Sequence, residues 1–225
     1  MTDRTRLDGR VAVITGAGGG VGREAAIVMA SRGAAIAAVD LDVARLEGLG
    51  ERLPAGARWA ALKGDVTNEA SIADCLTRAR GTFGRIDILL NAAAIEVGET
   101  AIGQTAAADF QRVFAVMASG VFLAMKHVIP MLVEGGGGAI VNRSGPAAWR
   151  PLAGQAARAA AEAAVVGMTR TAALEWGDAG IRVNCINLGP EADARGAALL
   201  AAFLACDEAG FITGAAHPIG EEWRA

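Results

Sequence analysis

Five glycines and a threonine crowd residues 15–22, in the order Thr15-Gly16-Ala17-Gly18-Gly19-Gly20-Val21-Gly22. The run follows a short apolar segment, residues 11–14, and opens a helix-like stretch, residues 23–32, that stops at Gly33. A strand, a glycine-rich turn and a helix N-terminus in that order make an anion site. The first N–H groups of a helix are unpaired and point one way, and the helix dipole adds positive charge there. Glycines let a pyrophosphate approach the backbone with no Cβ in the way. An acid, Asp40, ends the next apolar run, residues 35–39, about 20 residues on, where a ribose hydroxyl needs an acceptor. The pairing predicts a dinucleotide-type fold. A glycine-rich turn in an α/β protein that binds nothing is the competing reading.

The elements that must hold this loop follow from the rest of the chain. Apolar runs at 10–15, 35–40, 58–63, 86–91, 139–144, 181–188 and 212–218 predict strands. Helix-like segments lie between them, at 20–32, 42–53, 69–83, 106–133, 152–176 and 196–207. Continuous apolar runs suit strands buried on both faces. Strand–helix alternation predicts right-handed βαβ units. The expected fold is therefore a single Rossmann-like, doubly wound α/β domain over residues 1–225, a parallel seven-stranded sheet with helices on both faces. Segment 106–133 carries Phe110, Phe114, Met117, Val121, Ala124 and Val128 on one stripe. Segment 152–176 is rich in alanine: Ala153, Ala156, Ala157, Ala160, Ala161 and Ala164. Two such helices exceed what covering a sheet requires, so they are expected to form a subunit interface.

Composition excludes several functions. The chain has 225 residues, a net charge of −3, 53% hydrophobic residues and three scattered cysteines, Cys75, Cys185 and Cys206. The cysteines argue against a disulfide framework or a metal site. No basic stripe with interleaved aromatics suggests nucleic acid. No uninterrupted apolar run approaches the about 18–20 residues of a membrane span, and residues 1–10 lack the apolar core of a signal peptide, so the expected setting is the cytoplasm, off the membrane. There is no tyrosine anywhere, and the only lysines are Lys63 and Lys126. Chemistry that needs a tyrosine hydroxyl is ruled out.

The chain resembles the short-chain dehydrogenase/reductase family over nearly its whole length. Gly16, Gly20, Val21 and Gly22 match the family's T-G-x3-G-x-G loop. Asp40 stands where NAD-preferring members carry an acid. Asp65 and Val66 match the pair that touches adenine. Asn91-Ala92-Ala93-Ala94 is similar to the family's N-N-A-G, with two positions changed. Asn142, residues 167–170, 181–184 and 211–214 also fit. The resemblance implies that Gly16, Gly20, Val21, Gly22, Asp40, Asp65, Val66 and Asn91 form an NAD site.

The same resemblance places the family's four catalytic positions on residues of the wrong type. The asparagine falls at Met117, the serine at Gly145, the tyrosine at Arg158 and the lysine at Glu162. Ser144 offers a serine slipped by one. Hydride chemistry at a carbonyl or alcohol needs a proton donor or acceptor at the reacting oxygen. Arginine stays protonated and cannot serve. Glu162 is expected to pair with Arg158 one turn away, with an acid/base role as the alternative. The family's P-G after the sixth strand reads Leu188-Gly189-Pro190, Glu191-Ala192-Asp193 replaces its threonine, and Gly220-Glu221-Glu222 replaces its D-G-G. The last helix follows almost at once, which predicts a shortened substrate lid after residue 190.

These losses imply a non-catalytic subunit. It would assemble with an active relative in a hetero-oligomer, in an NAD-dependent alcohol or 3-hydroxyacyl-CoA dehydrogenase. NAD would bind weakly or not at all without the lysine's hold on the ribose. One alternative is a non-redox lyase, isomerase or cyclase built around Glu96, Arg143, Arg158, Glu162 and Glu191, since arginine stabilises a developing oxyanion. The other is an NAD-binding sensor.

Overall fold

In the computed structural model of the protein, residues 5–189 and 192–220 are described. Strands β1 (Val11–Thr15), β2 (Ala35–Asp40), β3 (Trp59–Lys63), β4 (Ile88–Asn91), β5 (Gly138–Ser144), β6 (Ile181–Leu188) and β7 (Ala216–Ile219) form one sheet in the order β3-β2-β1-β4-β5-β6-β7. Every neighbouring pair is parallel. The order reverses between β1 and β4, and such a switch point opens a crevice beyond the strand C-termini. Helices α1 (Gly20–Ser31), α2 (Leu49–Arg52), α3 (Glu69–Phe83), α4 (Ala107–Phe114), α5 (Gly120–Glu134), α6 (Ala156–Trp176) and α7 (Ala194–Ala205) accompany the sheet.

Strands β1, β2 and β4 are buried at every residue, as unbroken apolar runs require between two helical layers. Their side chains alternate between two cores. Ala12 and Ile14 join Ala25, Met29, Ala198 and Ala202 on the α1/α7 side. Val13 joins Ile72, Leu76, Val121, Val128 and Val165 on the α3/α5/α6 side. The edge strand β3 instead alternates, with Trp59 and Lys63 exposed.

Where the elements depart from the sequence pattern, backbone chemistry is the reason. Segment 42–53 is not one helix. A 3₁₀ turn, Val43–Leu46, gives way to α2 because Gly48, at φ +71°, sits in the left-handed region between them. Helix α6 starts at Ala156, not 152, after Pro151 and after Gly154 at φ +83°. Helix α7 starts two residues early because Asp193 caps it, its Oδ1 accepting from Gly196 N at 2.7 Å. Strand β7 is shifted to Ala216–Ile219. Thr213, before it, accepts through its side-chain Oγ1 from Val183 N at 3.1 Å.

The long helix over 106–133 is α4 and α5 joined by one π-helical turn, Ala115–Ser119, with Met117 at its centre. Together they form a 28-residue helix, Ala107–Glu134, that is long and apolar enough to span a bilayer by composition. Its α5 half lies on the sheet instead, with Val121, Ala124, Val128 and Leu132 in the core.

Candidate functional site

The glycine loop owes its shape to close backbone approach. Gly16 has φ +66°, and a Cβ there would lie 2.6 Å from Ala93 Cα in the segment after β4. A Cβ at Gly22 would lie 2.8 Å from the Gly16 carbonyl carbon, so the first turn of α1 can pack on the loop only with glycine at 22. Asp40, 5% exposed, closes the loop from β2: its Oδ2 accepts from Gly18 N at 2.9 Å and its Oδ1 from Asp42 N at 3.2 Å. Arg45 approaches the same carboxylate, Nη1 to Oδ1 at 4.0 Å. Asp65 turns the chain into α3, accepting from Thr67 N and Oγ1 at 2.9 and 2.7 Å.

Gly16, Gly20, Val21, Gly22, Asp40, Asp65 and Val66 all line one cleft of about 1100 Å³. Asn91 does not. Its side chain is buried, donating to Asn142 Oδ1 at 2.9 Å, while Asn142 donates to Thr169 Oγ1 on α6 at 3.0 Å. This polar chain ties β4, β5 and α6 together below the cleft floor, which Ala92, Ala93 and Ala94 form instead.

The far half of the cleft is built by β5, the 3₁₀ turn Pro146–Ala148, α4 and α6. Glu162 on α6 does not project into it. Its carboxylate folds under Gly145 and accepts from Ala147 N at 2.9 Å, so it caps the turn. The pair with Arg158 forms loosely, Nε to Oε1 at 3.9 Å. The space taken is the space a side chain at 145 would need, since a Cβ there would lie 2.6 Å from the Glu162 carboxyl carbon. Ser144 is no substitute for a serine at 145: it is buried, and its hydroxyl donates to the Glu162 carbonyl at 3.1 Å. Met117 is also buried, packed with Ala157 and Ala161 of α6.

Burial pushes the Glu162 carboxyl up, against the opposing pull of Arg158, Ala147 N–H, Arg143 and Ala148 N–H. A buried carboxylate with a raised pKa opposes folding only when it is charged. Below the ordinary value of 4.5 both states carry the proton and the penalty vanishes. It grows as pH rises through the interval up to the raised value. Glu162→Gln keeps an acceptor for Ala147 N and removes that penalty. Its stability gain over the natural chain, read from urea denaturation, should be absent at pH 4 and present at pH 8, with about that direction and no more than a modest size.

With the geometry in view, a family model described as short chain dehydrogenase matches residues 10–196. The chain belongs to that family. Among its relatives, D-threitol dehydrogenase of Mycolicibacterium smegmatis is 40% identical over 81% of this chain and 70% of its own length. The (2S)-[(R)-hydroxy(phenyl)methyl]succinyl-CoA dehydrogenase subunit BbsD of Thauera aromatica is 34% identical over 92% of this chain and 94% of its own. The crystal structure of levodione reductase superposes with a TM-score of 0.92 at 31% identity, covering 95% of this chain and 97% of that one.

Arg158 and Arg143 line the far half as the sequence suggests, and Glu96 lines the same cleft. Pro190 and Glu191 of the altered segment after β6, and Glu221 and Glu222 near the C-terminus, lie outside the described residues. Sequence reasoning missed Arg112 of α4 and Arg150, which line the same cleft. Neither belongs to a motif, and only the fold brings them to the cleft that Arg143 lines. Among the described residues no group of three His, Cys, Asp or Glu side chains gathers as a metal site. Cys75, Cys185 and Cys206 are buried free thiols, with burial pushing Cys185 up to about 12.

Proposed function

We propose that this chain is a non-catalytic subunit that assembles in the cytoplasm with an active short-chain dehydrogenase, in an NAD-dependent complex acting on an alcohol or a 3-hydroxyacyl-CoA. The observation that carries the reading is the refilled centre, where the Glu162 carboxylate occupies the room of a side chain at 145 and caps the Pro146–Ala148 turn. Replacement at two positions has become one packed unit, which leaves no general acid or base at the family's reacting oxygen. A chain without tyrosine cannot supply the family's donor from elsewhere.

Exposed apolar side chains support assembly. Phe110 of α4, Phe122 and Val133 of α5 and Leu174 of α6 all face solvent, Leu174 at 88% exposure. One relative is itself named as a dehydrogenase subunit. Gly16, Gly20, Val21, Gly22, Asp40, Asp65 and Val66 would take the adenosine and pyrophosphate of NAD. With Glu162 in place of the ribose-holding lysine, that binding is weak or lost.

The test is purification of the tagged chain from its native source. A second short-chain dehydrogenase should elute with it, and the complex, not the isolated chain, should reduce NAD with an alcohol or hydroxyacyl-CoA substrate. Recovery of a partner-free homo-oligomer that turns over substrate by itself would overturn the reading.

A further inference from the structure

Once Glu162 has folded beneath Gly145, the far half of the cleft presents mainly arginine. Arg112 from α4, Arg143 from β5, Arg150 from beyond the 3₁₀ turn and Arg158 from α6 line it, whereas Glu162 does not. Arginines from α4, β5, α6 and the segment after the 3₁₀ turn thus border one space. Arg143 is the innermost: its Nε is buried and has no hydrogen-bond partner among the described residues. A buried donor left unmade is costly, so a group that accepts from it would bind with that cost relieved. The Arg158 Nε stands 3.9 Å from Glu162, beyond hydrogen-bonding distance. Burial first pulls the Arg143 pKa down, with Glu162 opposing it and the neighbouring Arg158 charge adding to it, and an anion there would favour the charged form.

The acids nearby leave the Arg143 Nε unmet. Glu99 accepts from Gln155 at 3.1 Å, and Asp109 holds Arg112 at 3.2 Å on the exposed side of α4. Glu162 is the strongest of the charges acting on Arg143 and Glu96 the weakest, yet neither accepts from its buried Nε. The oxidised nicotinamide ring is cationic, and guanidinium groups repel it. Planar guanidinium forks suit carboxylate and phosphate oxygens instead.

We propose that the far half of this cleft binds a small carboxylate- or phosphate-bearing molecule, with Arg143 and Arg158 as its principal donors. The site goes beyond the subunit reading and holds with or without a partner chain. Calorimetric titration of the full chain with succinate and, separately, with inorganic phosphate tests it, with sodium chloride at matched ionic strength as the control. At least one probe should give a saturable one-site isotherm, and which of the two does so distinguishes a carboxylate from a phosphate ligand. Arg158→Gln, at a partly exposed position, should retain the fold and weaken that binding about tenfold, the size of one charge-assisted hydrogen bond. Arg143→Met should abolish it. If Arg143→Met does not fold, Arg158→Gln alone decides. An isotherm that sodium chloride reproduces, one unchanged by Arg158→Gln, or no saturable heat from either probe would overturn the site.

Discussion

Gly16→Ala should destabilise the protein by about 3 kcal/mol, seen as a lower urea midpoint with an unchanged slope. Two costs add. At φ +66° an alanine sits in the left-handed region, which costs about 1 kcal/mol relative to glycine. Its Cβ would then stand 2.6 Å from Ala93 Cα and 2.7 Å from Ala93 N. Those are backbone atoms continuous with β4, so no side-chain rotation relieves the overlap. Gly20 is the control. It is the first residue of α1, its φ is not positive, and the nearest neighbour of an added Cβ is Ala194 Cβ at 3.7 Å. Gly20→Ala should therefore stay within about 0.5 kcal/mol of the natural chain. Equal costs at the two positions would mean that Gly16 is not held against the β4 segment as the structure has it. The contrast separates glycines that build the loop from one that leaves its mouth open.

The fold was legible because its signals are redundant. Val11 to Ile14, residues 35–39 and the later apolar runs each mark a strand buried on both faces, and the helices between them leave a parallel sheet as the only economical arrangement. What the sequence hid were the choices made by single backbone positions. Gly48 splits the predicted helix over 42–53, and Asp193 starts α7 early by accepting from Gly196 N. The π turn around Met117 has no sequence signature at all, since helical periodicity reads through it. At the site, the glycine loop and Asp40 could be read because their spacing is local. Arg112 and Arg150 could not, because neither reaches the cleft that Arg143 lines until α4 and the segment after β5 close over the sheet. The direction of Glu162 was equally hidden. Its i,i+4 spacing from Arg158 suggests a surface pair, yet the chain offers a closer partner in the Ala147 N–H, and a hydrogen bond from buried backbone outweighs an ion pair of a few tenths of a kcal/mol.

That competition sets the effect expected at the refilled centre. Gly145→Ser puts the family's residue type back, and it should cost about 2 kcal/mol in urea denaturation. The added Cβ would stand 2.6 Å from the Glu162 carboxyl carbon. A glutamate tip can swing away, so the overlap itself is relieved. The cost comes from what the tip leaves behind, the buried N–H of Ala147, which has no other acceptor in the hydrogen bonds of this turn. In a Glu162→Ala background the carboxylate is already gone, and the same Gly145→Ser change should cost less than about 0.5 kcal/mol. The difference between the two backgrounds is the coupling that the packing requires. If serine at 145 costs the same with and without Glu162, the two positions are independent and the centre is merely empty, not refilled. A measured coupling would show instead that a working serine cannot return by one substitution, because the acid at 162 has taken over the structural task of holding the turn that once served the chemistry.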